Sequence, residues 1–152
     1  MIEVTADSFD AASALKAFEA RATGAGAIVS FTGLVRDHAS SGEVTRLHLQ
    51  AYSPMTERGI EDAVAAAHEK WPLIASHVIH RTGDMTPGEP IVFVATASAH
   101  RRAAFEAADF LMDYLKTEAV FWKKETTPAG ETWIEPRAED YKDKARWAAK
   151  AD

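Results

Sequence analysis

The densest set of side chains suited to chemistry lies between Ser98 and Glu125. It reads Ser-Ala-His-Arg-Arg, then an apolar-striped run to Lys116, then Ala-Val-Phe-Trp-Lys-Lys-Glu. His100 and Arg101 stand at the start of one expected helix, Lys116 near its end and Lys123 just beyond it. Arg101 and Arg36 are candidates for an anionic ligand, because a guanidinium fork matches phosphate or carboxylate oxygens bidentately. For any single arginine a solvated surface charge is the commoner role. His100 could donate to a phosphate or shuttle a proton, or simply make a structural hydrogen bond at the helix start. A helix N-terminus carrying His and Arg suits an anion. Lys116 could equally complement the helix dipole at the other end. Lys123 follows Phe121 and Trp122, and apolar surroundings lower a lysine's pKa, fitting it for acid–base or nucleophilic work. The structural alternative is a strand-edge charge that blocks aggregation.

The other histidines offer less. His77 and His80 lie three apart on an expected strand, so they face opposite sides and do not form a shared metal site. His38, His48 and His68 have no partner visible in the sequence. Met112 reads as core.

These residues need elements to place them. Phe105, Ala108, Met112 and Leu115 mark the apolar stripe of the organising helix, Ala103, Ala104 and Ala107 raise its propensity, and Ser98 is the expected N-cap. An earlier helix is expected over residues 8–22, with Leu15, Phe18 and Ala22 on one face and Asp7 or Ser8 as cap. A strand follows over 27–35, with Arg36 at its exit. Gly33 within it suggests a bulge or a close approach, a packing gap being equally open. Residues 37–43 form a polar loop. Residues 45–52 alternate, with Leu47, Leu49 and Ala51 on one face and Arg46, His48 and Gln50 on the other. A second helix spans 55–70 and Pro72 stops it. Residues 74–82 read as a strand, 83–89 as a turn region, and 91–97 as a central strand buried on both faces. A hairpin over 120–124 and 132–135 turns at 127–130. The tail, 137–152, is charged and alanine-rich, either a helix of low propensity or a segment ordered by a partner. The order of elements predicts one α+β domain over 1–152, a mixed or antiparallel sheet with layered helices.

Composition sets the outer limits. The chain has 152 residues, 47% hydrophobic and 26% charged, as in ordinary soluble domains. No apolar run approaches the roughly 20 residues that span a bilayer, and the N-terminus lacks the pattern of a signal peptide, so cytoplasmic residence is expected. There is no cysteine, which excludes disulfides, thiolate metal sites and cysteine nucleophiles. Any sulfur chemistry would use sulfur brought by a partner. A net charge of −6 argues against general nucleic-acid binding. A cationic pocket in so acidic a chain suits a small anion or an acidic tail.

Five stretches in order make a more specific pattern: Gly-Ala-Ile-Val-Ser-Phe-Thr-Gly-Leu-Val-Arg from Gly26, Tyr52-Ser-Pro-Met-Thr, Val78-Ile-His-Arg-Thr-Gly-Asp-Met-Thr-Pro-Gly-Glu, Ser98-Ala-His-Arg, and Met112 through Glu125. Together they resemble the large, catalytic subunits of molybdopterin synthase, the MoaE family. The resemblance implies an α/β hammerhead fold and conversion of cyclic pyranopterin monophosphate to molybdopterin by installation of a dithiolene. The sulfur would arrive as a thiocarboxylate on the C-terminal Gly-Gly of a small ubiquitin-like, MoaD-like subunit, within a heterotetramer built on a dimer of the large chain. By the same resemblance, Lys116 and Lys123 match catalytic positions. Arg36, His100, Arg101, Lys124, Glu125 and Arg137 match substrate-pocket positions, and Phe31 and Met112 match pocket walls. No metal or cofactor is implied. The alternative class is a non-catalytic module that binds a phosphorylated metabolite or an acidic peptide tail; a phosphoester hydrolase is weaker, for want of clustered metal ligands or an activated nucleophile. From His100 to Lys116 a helix rises about 24 Å and turns them roughly 160° apart, so a site using both is expected to be shared between two copies of the chain.

Overall fold

The computed structural model describes residues 1–39, 42–119, 121–135 and 137–149. In chain order the elements are β1 (Ile2–Thr5), α1 (Ala11–Arg21), β2 (Ala27–Leu34), β3 (His38–Ala39), β4 (Gly42–Glu43), β5 (Arg46–Ala51) and α2 (Met55–Lys70). Then come β6 (Leu73–Arg81), β7 (Gly83–Met85), β8 (Pro90–Ser98), α3 (Arg101–Thr117), β9 (Phe121–Thr127), β10 (Gly130–Ile134) and α4 (Ala138–Ala149).

The first sheet has the order β1-β6-β8-β2, with β1 parallel to β6 and the other pairs antiparallel. Alternation along β6 and β8 sends their side chains to two separate cores. Ile79, Phe93, Ala95 and Ala97 pack with Phe18 and Ala22 of α1. Val78, Val92 and Val94 pack on the other face with α2 and α3, against Ile60, Ala67, Phe110 and Leu111. β8 is therefore covered on both sides, as its continuous apolar run predicts. Each fully buried side chain of this size contributes roughly 1.5–3 kcal/mol.

The second sheet, β10-β9-β5-β7, is antiparallel throughout. Its inner face packs Leu47, Leu49 and Met85 against Val35, with Phe121 reaching both this cluster and the α2–α3 core. The α+β class with a mixed sheet and layered helices stands as read from the sequence.

Several expectations are corrected. Ser98 still belongs to β8, and its hydroxyl donates to the Pro72 carbonyl at 2.9 Å. The N-cap position of α3 falls to His100, which makes no side-chain capping bond. The buried stripe of α3 runs through Ala104, Ala107, Ala108, Leu111 and Leu115, while Phe105 is 57% exposed. Helix α1 starts at Ala11 after Asp10, later than the Asp7 or Ser8 expected. β1 escapes a sequence reading because four residues carry little periodicity; its pairing with β6 and the Met1 amino group's bond to the Ser76 carbonyl, 3.1 Å, hold it. β7 lies in the expected turn region, and β3 pairs with β4 within the expected polar loop. Ser40 and Ser41 of that loop, Val120 at the start of the expected hairpin and residues 150–152 of the tail lie outside the described residues. Gly33 marks a bulge: the β2–β8 register shifts between Gly33 and Leu34, and a Cβ there would meet Val92 Cγ1 at 2.8 Å. The tail forms α4 against this chain's own α3. Trp147 is 2% exposed and stacks edge-on against Trp71 and Phe110, and Arg146 reaches Asp109 and Asp113, each at 2.9 Å.

Candidate functional site

A cavity of about 710 Å³ opens between the second sheet, the end of α3 and the exit of β2. Strand register builds its inner wall. In antiparallel pairs, directly opposed residues face the same side. Lys123 is opposed by Leu49 on β5 and Ile134 on β10, and Glu125 by Leu47 and Thr132. Phe121, Lys123 and Glu125, alternating along β9, all line the cavity. The last turns of α3 add Met112, Leu115 and Lys116, Arg36 enters from beyond β2, and Phe31 contributes from β2 itself. Arg137 and Asp140 close one side from the start of α4. Seven of the ten residues expected at the site thus share one cavity.

The packing explains the electrostatics. Lys123 is half-buried between apolar neighbours, and its pKa is lowered, first by desolvation and then by the charges of Lys116 and Arg36, with Glu125 opposing. Lys116 retains exposed surface, yet the pocket walls displace bulk water around its ammonium. Its pKa is lowered too, again by desolvation first; Asp140 opposes the shift, while Arg137 and Arg36 add to it. Glu125 is 7% exposed, and its Oε2 is buried without a hydrogen-bond partner among the described residues. Arg137 is held by Asp140, whose carboxylate accepts from both the Arg137 guanidinium at 3.2 Å and its backbone N–H at 2.9 Å.

Three expected residues lie elsewhere. Lys124 occupies the opposite face of β9, with Nζ 3.2 Å from Glu131 Oε2 and 5.2 Å from the centre of the Trp133 ring. His100 and Arg101 are exposed at the far end of α3, and Arg101 stands about 22 Å along the helix axis from Lys116. Within one chain this pair therefore stands outside the cavity.

Sequence reasoning missed two residues. Asp140, counter-charge to Lys116 and Arg137, sits in a tail whose docking no periodicity announces. His80 lines the cavity as well, while His77 faces the α1 side, bonded to Glu3 Oε2 at 2.7 Å and Arg21 at 3.0 Å. Their opposite facing was expected from the strand period; the approach of His80 to the lysines depends on how two sheets pack and has no local signal. Among the described residues no group of three His, Asp or Glu could hold a metal ion. The arrangement has apolar walls, two lysines of depressed pKa and, among the described residues, an Arg36 guanidinium without an ion-pair partner and a Glu125 carboxylate with one oxygen unsatisfied. It can hold an anionic ligand with an apolar body, give up a lysine proton more readily than an ordinary surface lysine does, and stabilise negative charge that develops during reaction.

Residues 4–118 match the family model described as MoaE protein. A relative from Pseudomonas aeruginosa, named molybdopterin synthase catalytic subunit, is 47% identical over 146 residues, covering 96% of this chain and 97% of its own. A relative of the same name from Escherichia coli is 50% identical over 122 residues, covering 80% of this chain and 81% of its own. The solved molybdopterin biosynthesis MoaE protein from Burkholderia ambifaria superposes with a TM-score of 0.83 at 42% identity, over 97% of both chains.

Proposed function

The chain belongs to the MoaE family and catalyses molybdopterin synthesis, and from that premise we propose that the cavity between α3 and β9 is where sulfur is installed on a phosphorylated pterin. The observation that carries the reading is the convergence of Lys116 and Lys123, both with lowered pKa, beside Arg36 in one cavity. Arg36 is suited to the substrate's phosphate. A lysine of depressed pKa exchanges a proton readily, and in its charged form it stabilises an oxyanion or a departing carboxylate. Glu125 Oε2, without a partner among the described residues, is available to an N–H of a pterin ring. Phe31 and Met112 supply apolar wall.

The sulfur has to come from outside, because the chain has no cysteine. The proposed donor is a small ubiquitin-like subunit whose C-terminal thiocarboxylate enters the cavity; an anionic tail is drawn toward a cationic pocket even on a chain of net charge −6. His100 and Arg101 complete the site from a second copy of the chain, which places a homodimer at the centre of the assembly. We take residues 1–152 as one such catalytic domain and cytoplasmic residence as the setting. No helix of the described structure is long and apolar enough to cross a membrane.

The test is reconstitution. Purified chain, cyclic pyranopterin monophosphate and thiocarboxylated small subunit should yield molybdopterin, identified by mass. Tight binding of the precursor without product would favour the non-catalytic alternative.

A further inference from the structure

Two charged residues of the stretch from Val78 to Glu89 lie outside the cavity and have no part in the site described so far: Arg81 and Glu89. Arg81 ends β6 and is 6% exposed, a burial that a guanidinium tolerates only when it is paired. Its Nη1 donates to Glu89 Oε1 at 3.0 Å, and its Nη2 donates to the Ala6 carbonyl at 3.2 Å. The other carboxylate oxygen of Glu89 accepts from the Thr86 N–H at 2.6 Å and from the Thr86 hydroxyl at 3.1 Å. One carboxylate thus ties β6 to the turn over residues 86–89, in which Gly88 takes a φ of +92°, a sign that glycine adopts without strain. That turn holds Val35. The Val35 N–H donates to the Glu89 carbonyl at 2.9 Å, and the Gly88 N–H donates to the Val35 carbonyl at 2.8 Å. The Val35 side chain is 4% exposed and packs in the core of the second sheet. The next residue is Arg36. Among the described residues no hydrogen bond or ion pair holds its guanidinium, so its place in the cavity wall is set by its backbone. The turn anchors that backbone before Arg36; after it, the Asp37 carbonyl accepts from the Val44 N–H at 2.8 Å.

We propose that Arg81 and Glu89 are positioning residues for Arg36: their ion pair fixes the turn over residues 86–89, and the turn's two backbone bonds to Val35 fix the point from which Arg36 reaches its anion. A guanidinium grips a phosphate bidentately only when its fork is aimed at two oxygens. A displacement of about 1 Å is enough to lose that geometry. Arg81 and Glu89 bring no group to the ligand themselves; they act through Val35. A staple of purely structural worth would change stability and leave the ligand's affinity alone. A staple that aims Arg36 changes affinity, and does so only while Arg36 is present. The effect on substrate rests on the reading above of Arg36 as the ligand of the substrate's phosphate; the chain of contacts does not.

The test is a double-mutant cycle on the full chain, with affinity for cyclic pyranopterin monophosphate read by calorimetric titration. Glu89→Ala should weaken binding about tenfold, roughly the worth of one charge-assisted hydrogen bond. Turnover at saturating precursor should change by less than about twofold. In an Arg36→Ala background the same substitution should cost nothing further. A folded Glu89→Ala that binds as wild type does, that lowers kcat alone, or that weakens binding equally with and without Arg36 overturns the proposal. Two further arms cover a Glu89→Ala chain that does not fold. Glu89→Gln keeps the side chain's shape and one accepting oxygen, and should weaken binding by a smaller factor, again only while Arg36 is present. In the unsubstituted chain, added precursor should slow hydrogen exchange at the Val35 and Gly88 amides by more than at the amides of β8, because coupling is reciprocal, and Arg36→Ala should abolish that excess. Val35 and Gly88 amides that show no such excess overturn the proposal equally. An Arg36→Ala chain that binds the precursor as wild type does contradicts the phosphate role of Arg36, and the proposal with it. A wild-type chain that binds the precursor but never forms molybdopterin, while its affinity still follows Glu89 through Arg36, contradicts the sulfur-transfer reading and leaves the positioning role intact.

Discussion

Lys123 and Lys124 are neighbours on β9 that serve opposite faces of the sheet. Lys123 enters the cavity between Leu49 and Ile134, whereas Lys124 pairs with Glu131 and lies over Trp133. Substitution should separate them. Lys123→Ala and Lys116→Ala should each lower product formation by about 10²-fold or more and leave the melting temperature within a few degrees, since each removes a desolvated cation and opens no large cavity. Lys124→Ala should lose at most a few-fold, as expected for a half-buried ion pair on the outer face of the sheet. Turnover measured beside thermal unfolding decides this; an equal loss at Lys124 would mean that the outer face of β9 also reaches substrate.

The distance along α3 bears on assembly. Arg101→Ala and Lys116→Ala should each be inactive alone. Co-expressed, they should partly recover activity, because a mixed dimer carries one doubly damaged site and one intact site. The absence of any rescue in verified mixed dimers would place Arg101 and Lys116 in a site made by one chain.

Acid stability follows from His80. Its folded pKa of about 4 lies below the ordinary histidine value of 6.5. Between those values the unfolded chain binds the proton and the folded chain does not. Stability from the neutral ring is thus fully present above pH 6.5 and is lost as pH falls toward 4. The loss amounts to about 3 kcal/mol at the acid end. His68 and His77, whose pKa values are also lowered by burial first, add to the same slope. His80→Phe should flatten the fall in melting temperature across this window, and an unchanged slope would show that His80 is protonated in the native state.

Gly26 is fixed by a close approach. Its N–H donates to the Ser98 carbonyl at 3.0 Å, and a Cβ there would meet the Ala99 carbonyl oxygen at 2.2 Å. Backbone cannot swing aside as a side chain can. Gly26→Ala should cost on the order of 2 kcal/mol, a drop of roughly 4–8 °C in melting temperature. Gly59→Ala, in α2 with its nearest neighbour at 3.4 Å, should be neutral or mildly stabilising. Equal effects at the two positions would refute this account of Gly26.

What the sequence disclosed and what it withheld divide along physical lines. Helix α2 occupies the residues its stripe and Pro72 predicted, and β8 reads as doubly buried because it is. Lys116 and Lys123 stood out because cations beside apolar runs are chemically conspicuous. The exposure of Phe105 was hidden, because Ala104, Ala107 and Ala108 make a competing stripe that packs more closely. β1 and β7 were hidden because short strands are held by their partners and leave no pattern of their own. His80 and Asp140 join the site only through tertiary packing, 36 and 24 residues from Lys116, a separation that spacing cannot bridge.

In the proposed reaction, sulfur passes from a partner's thiocarboxylate to a pterin without ever being held by this chain. A single turnover with ³⁴S-labelled thiocarboxylate, followed by mass spectrometry of all components, tests this most directly. The label should leave the small subunit and appear in molybdopterin, with no sulfur adduct on the 152-residue chain at any time, and transfer should stall in Lys116→Ala or Lys123→Ala. Label retained covalently on the chain, or transfer at an undiminished rate without both lysines, would contradict it.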